Sequence, residues 1–599
     1  MKSKNIKIIL PVFLVLLCAV YACNKKFLDK QPLGALNPTV LANQTGVEGL
    51  LIGAYHMVGG EGGNISGNNW GSAASNWAYG SVAADDSYKG SIPSDQFAEG
   101  LGYLASWSYN TNNGYLNSKW LAMYDGVQRA NDVLRILPLA KDISATDVTR
   151  ISAEARMLRG HFHFELKRIF KNIVYASDTT TSTSNIDASG NYIDVWPQIE
   201  ADFQAAIAGL PETQPQAGRA NKSAAKACLA RCYMEERKFA LAKPLLEDII
   251  ANGKTAKGDK YALVNYESNF NGPQDNGAES IWAYQASVQD GSGTNGNYGD
   301  NLAFPNGSGP GGCCGFNNPS ISLANAYKTD PVTGLPLLDT YNSGTVVGDS
   351  SNIYIGTLDP RIDLVMGRPG IPYYDWGVVP KNDWIRSPAD DGFFSPKKMV
   401  YAKSQVGSIS STETSFWGPT QQSAINVNLI RFSEVLLWAA ECEIEVGTSA
   451  KALAYVNQVR TRAADPTGWV YKNSAYSAAT AKYTTQTTPA DNYKIGLYPA
   501  GAFDDKVYAH KAILFEERLE LAMEGQRYFA LRRFDNGTGS MAATLNAYAT
   551  IEKNRPSFFA QNKTAVFTAN KNEYFPIPQN QIDAKNATGK ITLKQNPGY

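Results

Sequence analysis

Apolar residues recur at steps of three and four along most of this chain, the period of a helix that buries one face. Ile151, Ala155, Leu158, Phe162, Leu166 and Ile169 make one such stripe. Trp196, Ile199, Phe203, Ile207 and Leu210 make a second, which Pro211 closes. Ser223 to Gly253 reads as a helical hairpin. Ser223 is placed to cap its first helix, and Ala225, Cys228, Leu229, Cys232 and Tyr233 line that helix. Leu245, Leu246, Ile249 and Ile250 line the second, and Gly253 suits a left-handed C-terminal cap. Leu229-Ala230, Tyr233 and Ala242 fall at the spacing of a tetratricopeptide repeat, in which small residues let two helices approach closely. A second hairpin runs from Phe432 to Val446 and from Ala450 to Val459, turning at Gly447-Thr448-Ser449. Ser280 to Tyr284, around Trp282, is strand-like. The pattern predicts a mainly α fold, a scaffold of tetratricopeptide-like helical hairpins with little β structure.

The helical period fails between about Lys254 and Asn426, where Gly, Asn, Ser and Pro crowd the chain, as in Gly291 to Asn297 and Asn306 to Asn318. Such stretches do not hold regular helices, and ordered loops of this length are usually functional. The start of the chain has its own texture. Lys2, Lys4 and Lys7 precede an apolar core from Ile8 to Val20, of signal-peptide length and shorter than the ~20 residues of a bilayer span. Val20-Tyr21-Ala22-Cys23 ends that core with a small residue directly before a cysteine, the pattern of a bacterial lipoprotein processing site. Cys18 is the rival, but bulky Leu17 stands where the small residue is needed. A diacylglycerol thioether on Cys23 and an N-acyl chain would supply the two or more lipid chains that stable anchoring requires. The expected organisation is a lipoprotein signal peptide over 1–22, a lipidated tether over 23–38 and an N-terminal helical-repeat scaffold over 39–253. A loop-rich ligand-binding region is expected over 254–426, and a C-terminal helical part over 427–599 completes the same domain.

Charge and cysteine usage narrow the chemistry. With 55 basic against 55 acidic residues, nothing attracts nucleic acid or an anionic surface, so the ligand is neutral or bound by local chemistry. Removing Cys18 with the signal peptide and lipidating Cys23 leaves Cys228, Cys232, Cys313, Cys314 and Cys442, which is no disulfide framework. Cys228 and Cys232 sit on an apolar stripe and read as buried thiols. No second Cys/His pair has zinc-ligand spacing, and His161 and His163 point about 200° apart on a helix. Cys313 and Cys314 are adjacent within a glycine-flanked loop, where they either close a vicinal disulfide or remain two thiols. No metal or organic cofactor is implied. Glu516, Glu520 and Glu524 place three like charges on one helix face. Arginines must converge on them, with Arg518, Arg527, Arg532, Arg431 and Arg156 as candidates. Paired acid/base catalysis by two of these glutamates is the alternative, but no nucleophile elbow or phosphate loop accompanies them.

Several segments together resemble the SusD/RagB family of nutrient-binding lipoproteins. Cys23-Asn24-Lys25-Lys26-Phe27-Leu28-Asp29 is similar to the family's anchor, and Ala153-Glu154-Ala155-Arg156-Met157-Leu158-Arg159-Gly160 to its alanine-glutamate-alanine-arginine helix. Leu429 to Leu437 resembles its arginine-aromatic-x-glutamate helix, and Glu516 to Phe529 its glutamate-arginine helix. Phe575-Pro576-Ile577-Pro578 and Gln595-Asn596-Pro597-Gly598-Tyr599 complete the set in the family's order. The resemblance implies a lipoprotein of the outer membrane, facing the cell exterior, that captures a glycan. It implies delivery of that ligand to a TonB-dependent transporter over whose barrel it sits as a lid, with no bond broken. A peptide-binding member of the same family, an extracytoplasmic glycoside hydrolase and a protein-interaction scaffold are the alternatives.

Sugars present C–H patches above and below rings of hydroxyls, so their sites pair aromatic faces with carboxylates and amides. The expected site is where the Asp86-Tyr88-Phe97 segment meets the loop holding Phe316, with Trp70 and Trp376 as outer platforms. Trp384, Tyr373 and Tyr374 are further loop aromatics, whereas Trp120, Trp196 and Trp438 fall in helical stripes and read as core.

Overall fold

Side-chain caps and close helix approaches decide where the predicted period becomes structure. The computed structural model describes residues 38–60, 68–92, 94–95, 100–180, 194–292, 296–348, 352–413, 421–554, 564–586 and 593–599. Cys23, the signal segment and Phe97 lie outside these residues. Its longer helices before the loop-rich region are α1 (Gln44–His56), α2 (Gly114–Ile136), α3 (Ala145–Phe170), α4 (Trp196–Gly209), α5 (Lys222–Glu235) and α6 (Phe239–Asn252). After it come α7 (Phe432–Val446), α8 (Ser449–Ala464), α9 (Lys506–Glu520), α10 (Arg527–Asp535) and α11 (Ser540–Lys553). Ser144, Asn221, Thr448 and Asp505 cap α3, α5, α8 and α9, each accepting from a first-turn backbone N–H.

Two expected caps differ. Asn221 rather than Ser223 caps α5, because Ser223 lies inside the first turn and accepts from the Lys254 N–H at 3.3 Å, tying the hairpin's ends together. Gly253 is extended (φ −61°, ψ 146°), not left-handed. Glycine is needed there for closeness, since a Cβ would lie 2.5 Å from the Ile249 carbonyl oxygen.

From α2 to α6 each helix packs on the next, and α6 then packs on α7 although the whole 254–426 excursion lies between them. The helical stack is therefore continuous in space and interrupted in sequence. Four short strands fasten the excursion to it: β1 (Ser87–Gly90), β2 (Ser280–Tyr284), β3 (Phe316–Pro319) and β4 (Val427–Arg431). β2 pairs antiparallel with β4, closing the base of the excursion, and β1 pairs antiparallel with β3, with Tyr88 opposite Asn318. Helix α3 runs through the middle. Its predicted stripe is wholly buried, and so are Arg159 and Glu165 at the stripe's edges and His161, His163 and Arg168 further round the helix. They are covered from several sides: Arg159 pairs with Asp202 at 2.6 Å, His161 packs edge-on against Trp282, His163 stacks on Tyr175 and Arg168 lies over Phe529. The C-terminal motifs close the end of the helix, with the Phe575 N–H donating to the Ile169 carbonyl at 3.0 Å and Asn596 Nδ2 to the Phe170 carbonyl at 2.7 Å. Among the described residues, no helix is long and apolar enough to cross a membrane.

Helix α9 ends at Glu520, so Glu524 lies in the turn beyond it rather than on the expected helix face. The three glutamates meet a ladder of cations that are mostly not the expected ones. Arg361 and Arg460 each reach Glu516 at 2.7 Å, Arg361 and Arg431 reach Glu520 at 3.1 Å, and Arg462 also binds Glu520. Lys398 holds Glu524 at 2.7 Å beside Arg431 at 2.8 Å. Of the five arginines expected there, Arg431 alone takes part. Arg518 is two residues from Glu516 and Glu520, so the helical period turns it to the opposite face. Arg532 pairs with Glu235, and Arg156 with Asp202. A ladder this fully paired and this buried is scaffold, because each carboxylate is held by fixed guanidinium or ammonium groups with no reacting space between them.

Candidate functional site

Strand β1 begins directly after Asp85-Asp86, and these two carboxylates root it in the scaffold. Arg518, from the far face of α9, reaches Asp85 at 3.0 Å and Asp86 at 3.1 Å, and Arg527 reaches Asp85 at 2.8 Å. Burial opposes ionisation of Asp85, but the Arg518 and Arg527 charges outweigh it and hold the carboxyl at about 2. Burial and the Asp85 charge push Asp86 the other way, above the usual range, with Arg518 opposing. Two carboxylates side by side share one cation better than they could share none.

Tyr88 points inward. Its hydroxyl donates to Glu552 at 3.1 Å and accepts from the Ile321 N–H at 2.9 Å. Asp86 and Tyr88, expected on the surface, are thus 1% and 2% exposed. Chain pairing overrides loop character here, because β1 is covered by β3 and by the chain around Gly392, whose Cβ would lie 3.2 Å from the Tyr88 ring. Phe316 is also buried, beneath the Lys89 ammonium at 4.4 Å. Trp70 is buried and donates to Asn301 Oδ1 at 2.8 Å. Trp384, Tyr373 and Tyr374 are buried too, and Lys397 lies over both tyrosines. Trp376 keeps a partly exposed ring and donates to the Tyr401 carbonyl at 2.9 Å. The structure therefore brings Asp86, Tyr88 and Phe316 together as the foundation of a face, with Trp70 buried beside Asn301 and Trp376 at the surface.

The surface of that face is made by the loop that leads into β3. Cys313 and Cys314 are joined by a disulfide in it, and the peptide between them is cis. Gly311, Gly312 and Gly315 flank the pair at φ +77°, +73° and +72°, a region that side chains avoid. The loop is pinned on several sides. The Gly315 N–H donates to Phe304, the Ser91 N–H to Gly315, the Asn306 N–H to Trp384, and Gln421 Nε2 to the Cys313 carbonyl at 2.9 Å. Around it stand groups the sequence did not single out. Arg386 donates to Ser91 Oγ at 2.8 Å and pairs with Asp95 at 3.1 Å, both about one-third exposed. Exposed Asp383 accepts from the Ser308 N–H at 3.0 Å and from its hydroxyl. No local signal could have found Arg386 or Asp383, since their partners lie far away in sequence; the Gly-Asn crowding of Asn306 to Asn318 marked only the loop.

The chemistry available on this face is hydrogen bonding from hydroxyl, guanidinium and carboxylate groups around a rigid loop. Among the described residues, no group of His, Cys, Asp or Glu is arranged to hold a metal. A groove of about 1090 Å³ runs elsewhere, along α8 past Tyr261 and Phe432, but both those rings are buried and it offers no exposed aromatic face.

The SusD family model matches residues 278–599, which include the α9 ladder, the disulfide loop and the C-terminal motifs. The chain belongs to the SusD family. A second family model, described as starch-binding associating with outer membrane, matches residues 26–234. A SusD-like protein P2 from Formosa agariphila is 23% identical over 82% of this chain and 83% of its own length. Among solved structures, a laminarin binding SusD-like protein shares the fold with a TM-score of 0.60 at 21% identity, over 93% of this chain and all of that one. Surface glycan-binding protein A from Bacteroides thetaiotaomicron, in complex with laminarihexaose, aligns with a TM-score of 0.57 at 18% identity, over 92% of this chain and 99% of that one. These likenesses fix the fold of this SusD-family chain as the mainly helical one of SusD-like proteins.

Proposed function

We propose that this protein is a cell-surface lipoprotein that captures an oligosaccharide or polysaccharide and hands it unchanged to a TonB-dependent outer-membrane transporter. The observation that carries the reading is the exposed rim around Cys313-Cys314. There Ser308, Asp383, Arg386 and Asp95 present hydrogen-bonding groups on a base braced by the Asp85-Asp86-Arg518 node. Polyol ligands need such fixed donors and acceptors, because each sugar hydroxyl lost from water must be replaced. Family membership and the glycan ligands named for the fold neighbours support the same class. In this reading Cys23 carries the lipid, residues 23–38 form the tether, and the rim faces the cell exterior with Trp376 as an outer aromatic platform.

The test is a glycan array with soluble protein from residue 24 onward, followed by calorimetry on the best hit and on laminarihexaose. An Arg386→Ala, Asp383→Ala double variant should bind at least tenfold more weakly while melting like the parent. Turnover of the glycan, or no glycan bound at all, refutes the proposal. Gentle detergent extraction of the membrane should recover a transporter-sized barrel protein alongside.

A further inference from the structure

The Cys313–Cys314 pair does more than close a ring in a loop. Its loop is fixed from below: Phe304 accepts from the Gly315 N–H, and a Cβ on Gly311 would lie 2.7 Å from the Phe304 ring. From the side, Gln421 Nε2 holds the Cys313 carbonyl and touches Cys314 Sγ at 3.4 Å. Cys314 is buried, Cys313 is partly exposed, and Gly312 beside it is open to solvent. One side of the pair is thus packed on protein and the other meets water.

The polar groups of the rim adjoin it. A Cβ on Gly315 would sit 3.3 Å from Arg386 Cβ, and one on Gly307 2.3 Å from the Asp383 carbonyl oxygen. Gly307 in turn stands next to Gly312, whose Cβ would lie 3.7 Å from the Gly307 carbonyl oxygen. Glycines at 307 and 312 therefore place no side chain beside the partly exposed Cys313. The charges nearby are held in place yet remain accessible: Arg386 pairs with Asp95, both about one-third exposed, and exposed Asp383 accepts from Ser308. Sulfur is soft and polarisable, so linked sulfurs with their Cβ carbons make an apolar contact surface. The rings at Trp70, Tyr88, Phe316 and Trp384 are buried, whereas Trp376 keeps a partly exposed ring, so the partly exposed Cys313 adds apolar surface directly beside these hydrogen-bonding groups.

We propose that the Cys313–Cys314 disulfide is itself a ligand-contacting surface, on which one C–H face of a neutral sugar ring rests while its hydroxyls reach Ser308, Asp383 and Arg386. The proposal rests on the glycan-binding reading for the class of ligand, and adds which atoms meet the sugar. It makes the cysteines a recognition element rather than only a brace.

The experiment uses the soluble lipid-free chain with 13Cβ-labelled cysteine, titrated with laminarihexaose or the best array hit. The Cys313 Cβ signal should shift on saturation, while the buried Cys228, Cys232 and Cys442 signals stay in place as internal references. Reduction, verified as a two-dalton mass gain, should weaken affinity at least tenfold, and reoxidation should restore it. A glycan that binds with the Cys313 and Cys314 signals unmoved and affinity unchanged on reduction overturns this inference and leaves the glycan-binding reading standing. Weakened affinity on reduction with unmoved cysteine signals also overturns it, because the disulfide then acts only by bracing the loop. Absence of binding to every glycan instead refutes the reading beneath it.

Discussion

Removing Arg518 should expose how the candidate face is held to the scaffold. The guanidinium is fully buried and lies 3.0 Å from Asp85 and 3.1 Å from Asp86. At an effective dielectric of about 20, a pair of unit charges at that separation attracts by roughly 5 kcal/mol before desolvation is subtracted. In Arg518→Met, Asp85 keeps Arg527 at 2.8 Å, but Asp86 loses its cation. A lone buried carboxylate escapes by taking up a proton, which costs about 1.4 kcal/mol for each pH unit above its ordinary 3.8. That sets a ceiling of about 4 kcal/mol at pH 7 and about 2 kcal/mol at pH 5 for the charge part of the loss. Lost hydrogen bonds to the Asp85 carbonyl and Tyr341 add about 1 kcal/mol each at either pH. Urea unfolding should therefore show Arg518→Met destabilised by about 3–5 kcal/mol at pH 7 and clearly less at pH 5. Asp86→Asn in the same chain should recover part of the loss at pH 7. An equal loss at both pH values, with no recovery by Asp86→Asn, would refute the charge argument and leave packing as the cause.

Tyr88→Ala should cost about 3–5 kcal/mol in the same assay, because it empties a buried site and strands Glu552, whereas Arg386→Ala should change stability by less than about 0.5 kcal/mol. Burial raises the Glu267 carboxyl to about 7 against the pull of Lys397 at 3.6 Å. The folded chain then keeps a proton that the unfolded chain releases, so this group lowers stability as pH rises from about 4.5 to about 7 and adds no slope above that. Glu267→Gln should flatten the stability profile across that window, and an unchanged profile counts against it. Alkylation without reductant followed by intact-mass measurement should leave Cys313 and Cys314 unmodified; two labels there would show free thiols. Cys23→Ser should lose metabolic palmitate label and leave the membrane fraction, and retention in the membrane would end the anchor assignment.

The helical scaffold was legible in the chain because its physics is local. The stripes on α3 and α4, the Phe432–Val446 hairpin with its Thr448 turn, and the strand at Ser280–Tyr284 all follow from periods of 3.6 and 2 and from nearby caps. Even Ser223 failed as a cap by only one turn's geometry. The partners of charged groups were not legible, because a period says which side a residue faces and nothing about what waits there. Arg361 and Arg460 find Glu516 across long stretches of chain, and Arg518 turns away to Asp85 and Asp86. The same limit governed the face. Loop texture marked Asp86, Tyr88 and Phe316 as one neighbourhood, but only the β1–β3 pairing decided that they lie beneath it, while Arg386, Asp383 and the Cys313–Cys314 loop come to the surface. Burial is a property of what packs on top, and in this chain the covering segments come from more than two hundred residues away.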